Sequence, residues 1–217
     1  MVVAISEIVK NGILFDLKNW CKGMSNTDQF VQSIENVFDT LTERNIDYLL
    51  VGGVALLSYV EGRNTQDIDL ILAKSDLKTL PEITIVEENN DFIRGEFGSL
   101  TIDILLTQNR LFNKIILDFS TTRQFGTKNI RCVSVEGLVI LKFYALPSLY
   151  RQGKFDRVSI YENDILLLLL NYSVNLEEVL QLLTNHLLPS DLEELKKIAS
   201  DIESRIKRFA TQKKKME

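Results

Sequence analysis

The sequence predicts an α+β chain, with an α/β portion before residue 130 and helices after it. Two observations carry this. Up to that point short apolar runs of strand length alternate with helical patterning and are broken by glycine or proline. From Ser134 onward the apolar spacing becomes helical and stays so. The 217 residues, 45% hydrophobic and 25% charged, suit one large domain or one domain with a helical appendage. Only three prolines argue against long linkers.

In residues 27–45 one helical face holds Phe30, Ile34, Val37, Phe38 and Leu41. Ser25 and Asp28 form a capping-box pattern ahead of it. "DYLLV" at 47–51 reads as a buried strand, and Gly52-Gly53 turn it into a short helix around 54–60. "DIDLILA" is the next strand, and Ser75 to Leu80 a short helix ended by Pro81. Three β-like runs follow at 83–88, 91–97 and 100–107, the first two joined by "ENND" and the last two by "GS". A mixed segment then leads to "KNIRCVSV", a last strand. "VEGLVILKFYAL" predicts a helix up to Pro147, with further helices over 161–171, 175–186 and 190–210. Ser190 and Glu193 have capping-box spacing, and Leu192, Leu195, Ile198, Ala199, Ile202, Ile206 and Phe209 form one stripe.

Several classes are disfavoured. A net charge of −5 and a pI near 5.1 give no global case for nucleic-acid binding. The N-terminus lacks a basic start with an unbroken apolar run, and "ILLLLL" at 165–170 is far short of the ~20 residues a membrane span needs. A cytoplasmic protein without membrane partners is expected. Cys21 and Cys132 lack CxxC spacing and read as buried free thiols in a reducing compartment. His186, the only histidine, has no zinc-ligand neighbours and reads as a helix-end residue. The basic tail with Arg205, Lys207, Arg208 and Lys213 to Lys215 reads as a solvated face rather than an RNA contact.

The chemistry lies in "YLLVGGVALLSYVEGRNTQDIDLIL", residues 48–72. Alternation puts Asp67 and Asp69 on one face of a strand and Ile68, Leu70 and Leu72 on the other. Burying two like charges unpaired would cost several kcal/mol, on the order of an ion's burial penalty, so a positive charge should sit between them. Mg²⁺, which takes hard oxygen ligands, meets the need. Asp103 in "LTIDILL" repeats the arrangement, with Ile102 and Ile104 on the opposite face. Three carboxylates on neighbouring strands could hold two ions ~4 Å apart, as in-line phosphoryl or nucleotidyl displacement requires. Gly52-Gly53, at a strand-to-helix turn, would let backbone N–H groups approach a phosphate.

Gly52-Gly53, thirteen residues, Asp67-Ile68-Asp69 and then Asp103 resemble the signature of the DNA polymerase β-type nucleotidyltransferase superfamily. The string "GGVALLSYVEGRNTQDIDL" is similar to that of its AbiEii/AbiGii-type toxin branch, where Gly-Gly, an Arg-x-Thr/Ser and Asp-Ile-Asp recur. The resemblance covers about residues 45–170 and implies a small mixed β-sheet domain with flanking helices, residues 1–130, followed by a helical domain, 131–217. It implies that Asp67 and Asp69 bind metal, that Asp103 joins them and activates the acceptor hydroxyl, and that Gly52, Gly53, Arg63 and Thr65 serve the nucleotide. "LKFYALPSLYRQGKFDRVSIYENDI" is similar to the branch's second motif, which makes Lys142 a phosphate contact and Asp164 a buried structural or active-site carboxylate. Arg151 and Arg157 are weaker candidates. Val54 departs from the Thr or Ser often found after the glycine pair.

The function expected is Mg²⁺-dependent transfer of NMP from an NTP such as ATP to an acceptor hydroxyl, with two ions and Mn²⁺ as a substitute. The resemblance suggests an RNA 3′ end such as tRNA, or a protein, as acceptor, and a toxin role with an antitoxin partner. The alternatives are a catalytically weakened nucleotide-binding module of the same fold and a small-molecule nucleotidyltransferase.

Overall fold

The computed structural model describes residues 5–6, 25–60 and 65–216. Arg63 and Cys21 lie outside them, and so do the side chains of Ser25 and of Lys213 to Lys215. By packing, the chain divides between Ser134 and Val135 into two compact units.

In the first unit, helix α1 (Ser25–Glu43) buries Val31, Ile34, Val37, Phe38 and Leu41. Strand β1 (Tyr48–Val51) is buried throughout and runs straight into a one-turn helix, α2 (Gly52–Leu56), with no side-chain cap. Strand β2 (Asp67–Leu72) follows, then a 3-10 turn at Lys74–Thr79. β3 (Ile83–Glu88), β4 (Phe92–Phe97) and β5 (Leu100–Leu106) form an antiparallel meander.

The segment between residues 107 and 128, read from the sequence only as mixed, contains a helix and a strand. α3 (Arg110–Asp118) is capped by Asn109, whose side chain accepts from the backbone N–H groups of Leu111 (2.9 Å) and Phe112 (3.3 Å). Leu111, Phe112, Ile115 and Ile116 make its buried face. β6 (Ser120–Phe125) pairs antiparallel with β7 (Lys128–Val133) across the two-residue turn Gly126-Thr127, where Gly126 has φ +57°. β6 is mostly polar and half exposed, so it carries little hydrophobic signal.

The sheet has seven strands in the order β3-β4-β5-β2-β1-β7-β6. It is mixed: β2 runs parallel to β5 and β1 to β7, while the other neighbours are antiparallel. The α+β class expected from sequence is therefore the class observed, a mixed sheet with flanking helices followed by helices.

The second unit is helical: α4 (Val135–Arg151), α5 (Phe155–Asn171), α6 (Leu176–Leu183) and α7 (Pro189–Met216). Three details differ from expectation. α4 runs through Pro147 for four more residues, because Leu146 and Pro147 are buried and their packing outweighs one missing N–H bond. α5 starts at Phe155 rather than near residue 161. The capping box at Ser190 does not form: Pro189 opens α7, as proline suits a first helical position, and Glu193 instead accepts from Lys196 Nζ at 2.6 Å. The α7 stripe is buried at Leu192, Leu195, Ala199 and Ile202 and exposed at Phe209. Among the described residues, no helix is long and apolar enough to cross a membrane.

Candidate active site

Pairing register builds the site. β2 and β5 run parallel with Asp69 opposite Asp103 and Asp67 opposite Thr101. All three carboxylates therefore stand on one face of two adjacent central strands. The other face, with Ile68, Leu70, Ile102 and Ile104, is fully buried. This alternation fixes the carboxylates: a slip of one residue would bury the aspartates and expose the isoleucines. Asp67 and Asp69 are half-buried, and Asp103 is buried.

β1 pairs antiparallel with β2 so that Val51 lies opposite Asp69, which brings the glycine pair against the Asp69 side chain. Gly52 has φ +65°, and a Cβ there would lie 1.9 Å from Asp69 Oδ2. A Cβ on Gly53 would lie 2.5 Å from Thr65 Oγ1. The Gly53 N–H donates to Asp69 Oδ2 at 3.3 Å. Thr65, itself buried, donates from Oγ1 to Asp67 Oδ1 at 3.0 Å. The Gly53 N–H on the strand-to-helix turn thus helps orient Asp69, and Thr65 on the approach to the strand helps orient Asp67. Both glycines are needed for close approach of Asp69 and Thr65, a reason for Gly-Gly that is independent of any phosphate.

The sequence reading missed Arg94. It sits on β4 directly opposite Asp103. Its Nε donates to Asp103 Oδ1 at 2.7 Å and its Nη2 to Oδ2 at 2.6 Å, a two-pronged charge-assisted pair. The hydrogen bonds to Asp103 push the Arg94 pKa up, and the charges of Asp103, Asp67 and Glu87 add to this. An arginine in "FIRGEF" is unremarkable by itself; only the β4–β5 register makes it part of the site.

Asp67 and Asp69 suit one hard divalent cation, being half-buried oxygen donors on one strand face with orienting partners already in place. Among the described residues no group of three or more His, Cys, Asp or Glu side chains that could hold a metal ion is found.

In the helical unit, Lys142 on α4 and Asp164 on α5 form an ion pair, Nζ to Oδ2 2.7 Å, with side chains only 5% and 3% exposed. The Lys142 ammonium also lies 4.5 Å from the centre of the Tyr161 ring. Lys142 is therefore not a solvated helix lysine. Arg151 pairs with Asp191 at 2.6 Å, linking α4 to α7, and Arg157 is exposed. His186 lies in the turn after α6, and Cys132 is a buried free thiol.

No family model and no curated protein sequence matches the chain. Solved structures resemble its fold remotely. An antigenic nucleotidyltransferase-like protein from Paracoccidioides brasiliensis is 18% identical, over 79% of this chain and 93% of its own, with a TM-score of 0.49. ANT(2")-Ia in complex with adenylyl-2"-tobramycin is 16% identical, over 81% and 97%, with a TM-score of 0.49. A putative nucleotidyltransferase from Thermotoga maritima is 12% identical, over 63% and 94%, with a TM-score of 0.43.

Proposed function

We propose that the chain is a nucleotidyltransferase that moves NMP from an NTP to an acceptor hydroxyl. The observation that carries this is the in-register placement of Asp69 beside Asp103, with Asp67 on the same face and Gly52-Gly53 against Asp69. The acceptor oxygen would bond to the α-phosphorus as the bond to the β-phosphate oxygen breaks, and pyrophosphate would leave. Asp103 would take the hydroxyl proton, since each of its oxygens keeps a lone pair beyond the one Arg94 uses. Asp67 and Asp69 would hold Mg²⁺, which when bound supplies positive charge against the triphosphate. Thr65 and the Gly53 N–H keep those two carboxylates oriented.

The sequence resemblance to the AbiEii/AbiGii-type toxin branch favours an RNA 3′ end such as tRNA, or a protein hydroxyl, as acceptor, and a partner antitoxin. A non-transferring nucleotide-binding module is the second reading, favoured by the Arg94 fork on both oxygens of Asp103. The test supplies each α-labelled NTP in turn with Mg²⁺, total RNA and cell extract, then follows label into RNA, protein and small molecules. Label in one fraction, absent with Asp67→Ala, supports transfer and names the acceptor class. Mg²⁺-dependent NTP binding with no label in any fraction would replace transfer with the second reading.

A further inference from the structure

Strand order gives the carboxylate face two sides. Asp67 and Asp69, the pair that would face the triphosphate, stand on β2 next to the Gly52-Gly53 turn. Asp103 follows on β5, and β4 lies beyond it, two strands and roughly 10 Å from β2. In-line displacement puts the attacking oxygen and the leaving pyrophosphate on opposite sides of the α-phosphorus. With the triphosphate on the β2 side, the acceptor stands over β5 and β4.

β4 presents Arg94 and Phe92 there. They share the face of Asp103, because Arg94 pairs with Asp103 and Phe92 with Leu105 two residues on. The fork to Asp103 spends Nε and Nη2 of Arg94, and among the described residues Nη1 meets no acceptor. The Arg94 side chain is 33% exposed, so that edge is open to a ligand. Phe92 is half-buried, its ring centre 5.8 Å from the guanidinium carbon. Glu87 lies opposite Arg94 on β3, exposed, and acts on it by charge without a hydrogen bond. Arg94 is thus a cation fixed by strand pairing, with one edge unspent, beside the carboxylate that would take the acceptor's proton. Such an edge suits the oxygens of a phosphate.

We propose that Arg94 determines acceptor specificity: its Nη1 edge, flanked by the Phe92 ring, binds a phosphate that the acceptor carries near its reacting hydroxyl. This subsite deepens the nucleotidyl-transfer reading and rests on it for its use, though not for its ability to bind. Two sources carry the chemistry, the last phosphodiester of a nucleic-acid 3′ end and the phosphate of a small phosphorylated nucleoside. The ring offers either a surface on which a base can stack.

The experiment fills the NTP site of the full chain with non-hydrolysable NTPs and Mg²⁺. Calorimetry then measures binding of the four ribonucleosides, their 5′-monophosphates and 3′-hydroxyl dinucleotides. A phosphate-bearing set should bind roughly 10–100-fold more tightly than the nucleosides, as a charge-assisted hydrogen bond implies. Dinucleotides ahead of monophosphates name the nucleic-acid end as source; the reverse order, or a tie, names the small nucleotide. Arg94→Gln should erase the preference, and Glu87→Gln should increase it. If Arg94→Gln fails to fold, Arg94→Gln/Asp103→Asn, which removes both charges at similar volume, replaces it. An arginine that only positioned Asp103 would leave the preference intact in these variants. That result, equal affinity of all sets for the wild type, or no binding of any would overturn the subsite. Transfer from α-labelled NTPs to the same acceptors is measured separately. Phosphate- and Arg94-dependent binding without transfer would sink the transfer reading and leave the subsite. Transfer that uses nucleosides as well as the phosphate-bearing sets would do the reverse.

Discussion

Asp164→Ala should be among the most damaging polar substitutions in the helical unit. It leaves the Lys142 ammonium, whose side chain is 5% exposed, without its carboxylate at 2.7 Å. Breaking a buried pair from one side costs about 3–5 kcal/mol, whereas an exposed pair contributes ~0–1 kcal/mol. The exposures of 5% and 3% place this pair in the first class. For a chain of this length each kcal/mol lowers the melting point by roughly 2–4 °C, so the expected fall is roughly 6–20 °C. Lys142→Met should cost a similar amount, by removing the ammonium that the buried Asp164 pairs with. The double variant Lys142→Met/Asp164→Leu should return close to wild type, because the desolvation cost of both charges disappears with them. Thermal and urea melts followed by far-ultraviolet circular dichroism read all three. A loss below about 1 kcal/mol for Asp164→Ala, or a double variant as unstable as either single one, would refute the burial argument. It would also return Lys142 to the role of a side chain held ready for a phosphate.

Asp67→Ala and Asp69→Ala should each lower transfer by more than the roughly 10–100-fold that loss of an outer ligand partner costs, with the melting point unchanged or raised as like-charge repulsion falls. Near wild-type labelling with either variant would remove that carboxylate from the site. Gly52→Ala should destabilise by about 1–2 kcal/mol from its φ of +65° alone, and further by driving Asp69 aside, measured as a shift of the urea midpoint together with lost Mn²⁺ binding. Unchanged Mn²⁺ affinity in that variant would mean the Gly52–Asp69 approach is not what orients the carboxylate. Burial pushes the Cys132 thiol up to about 12, so in a Cys21→Ser background the native protein should resist a thiol-specific disulfide reagent until it unfolds. Because the folded pKa is raised, the unfolded thiol ionises first as pH rises. Stability from this group is complete below the ordinary thiol pKa and declines toward pH 12, which alkaline urea midpoints would show.

The carboxylate site was legible in the sequence because each of its parts depends on short-range pattern. Alternation in "DIDLIL" and "LTIDILL" assigns three aspartates to one face whatever the rest of the chain does. The Asn109 cap with its apolar face, and the Gly126-Thr127 turn, were equally local signals for α3 and β6, though β6 is too polar to stand out without its partner. The end of α4 was misplaced because proline's local cost is smaller than the packing around Leu146, a quantity set by distant residues.

By itself the sequence determined the fold class, the strand faces and the three aspartates. Only the tertiary structure decided that β4 puts Arg94 opposite Asp103, that Gly52 abuts Asp69, and that Lys142 is buried on Asp164. The physical reason is separation along the chain. Side-chain alternation is a property of consecutive residues, but charge neutralisation depends on which residues the sheet and the helix packing bring within 3 Å, roughly the hydrogen-bond distance. Arg94 lies between glycine and isoleucine in an unexceptional strand, and its role comes wholly from the register of that strand against its neighbour.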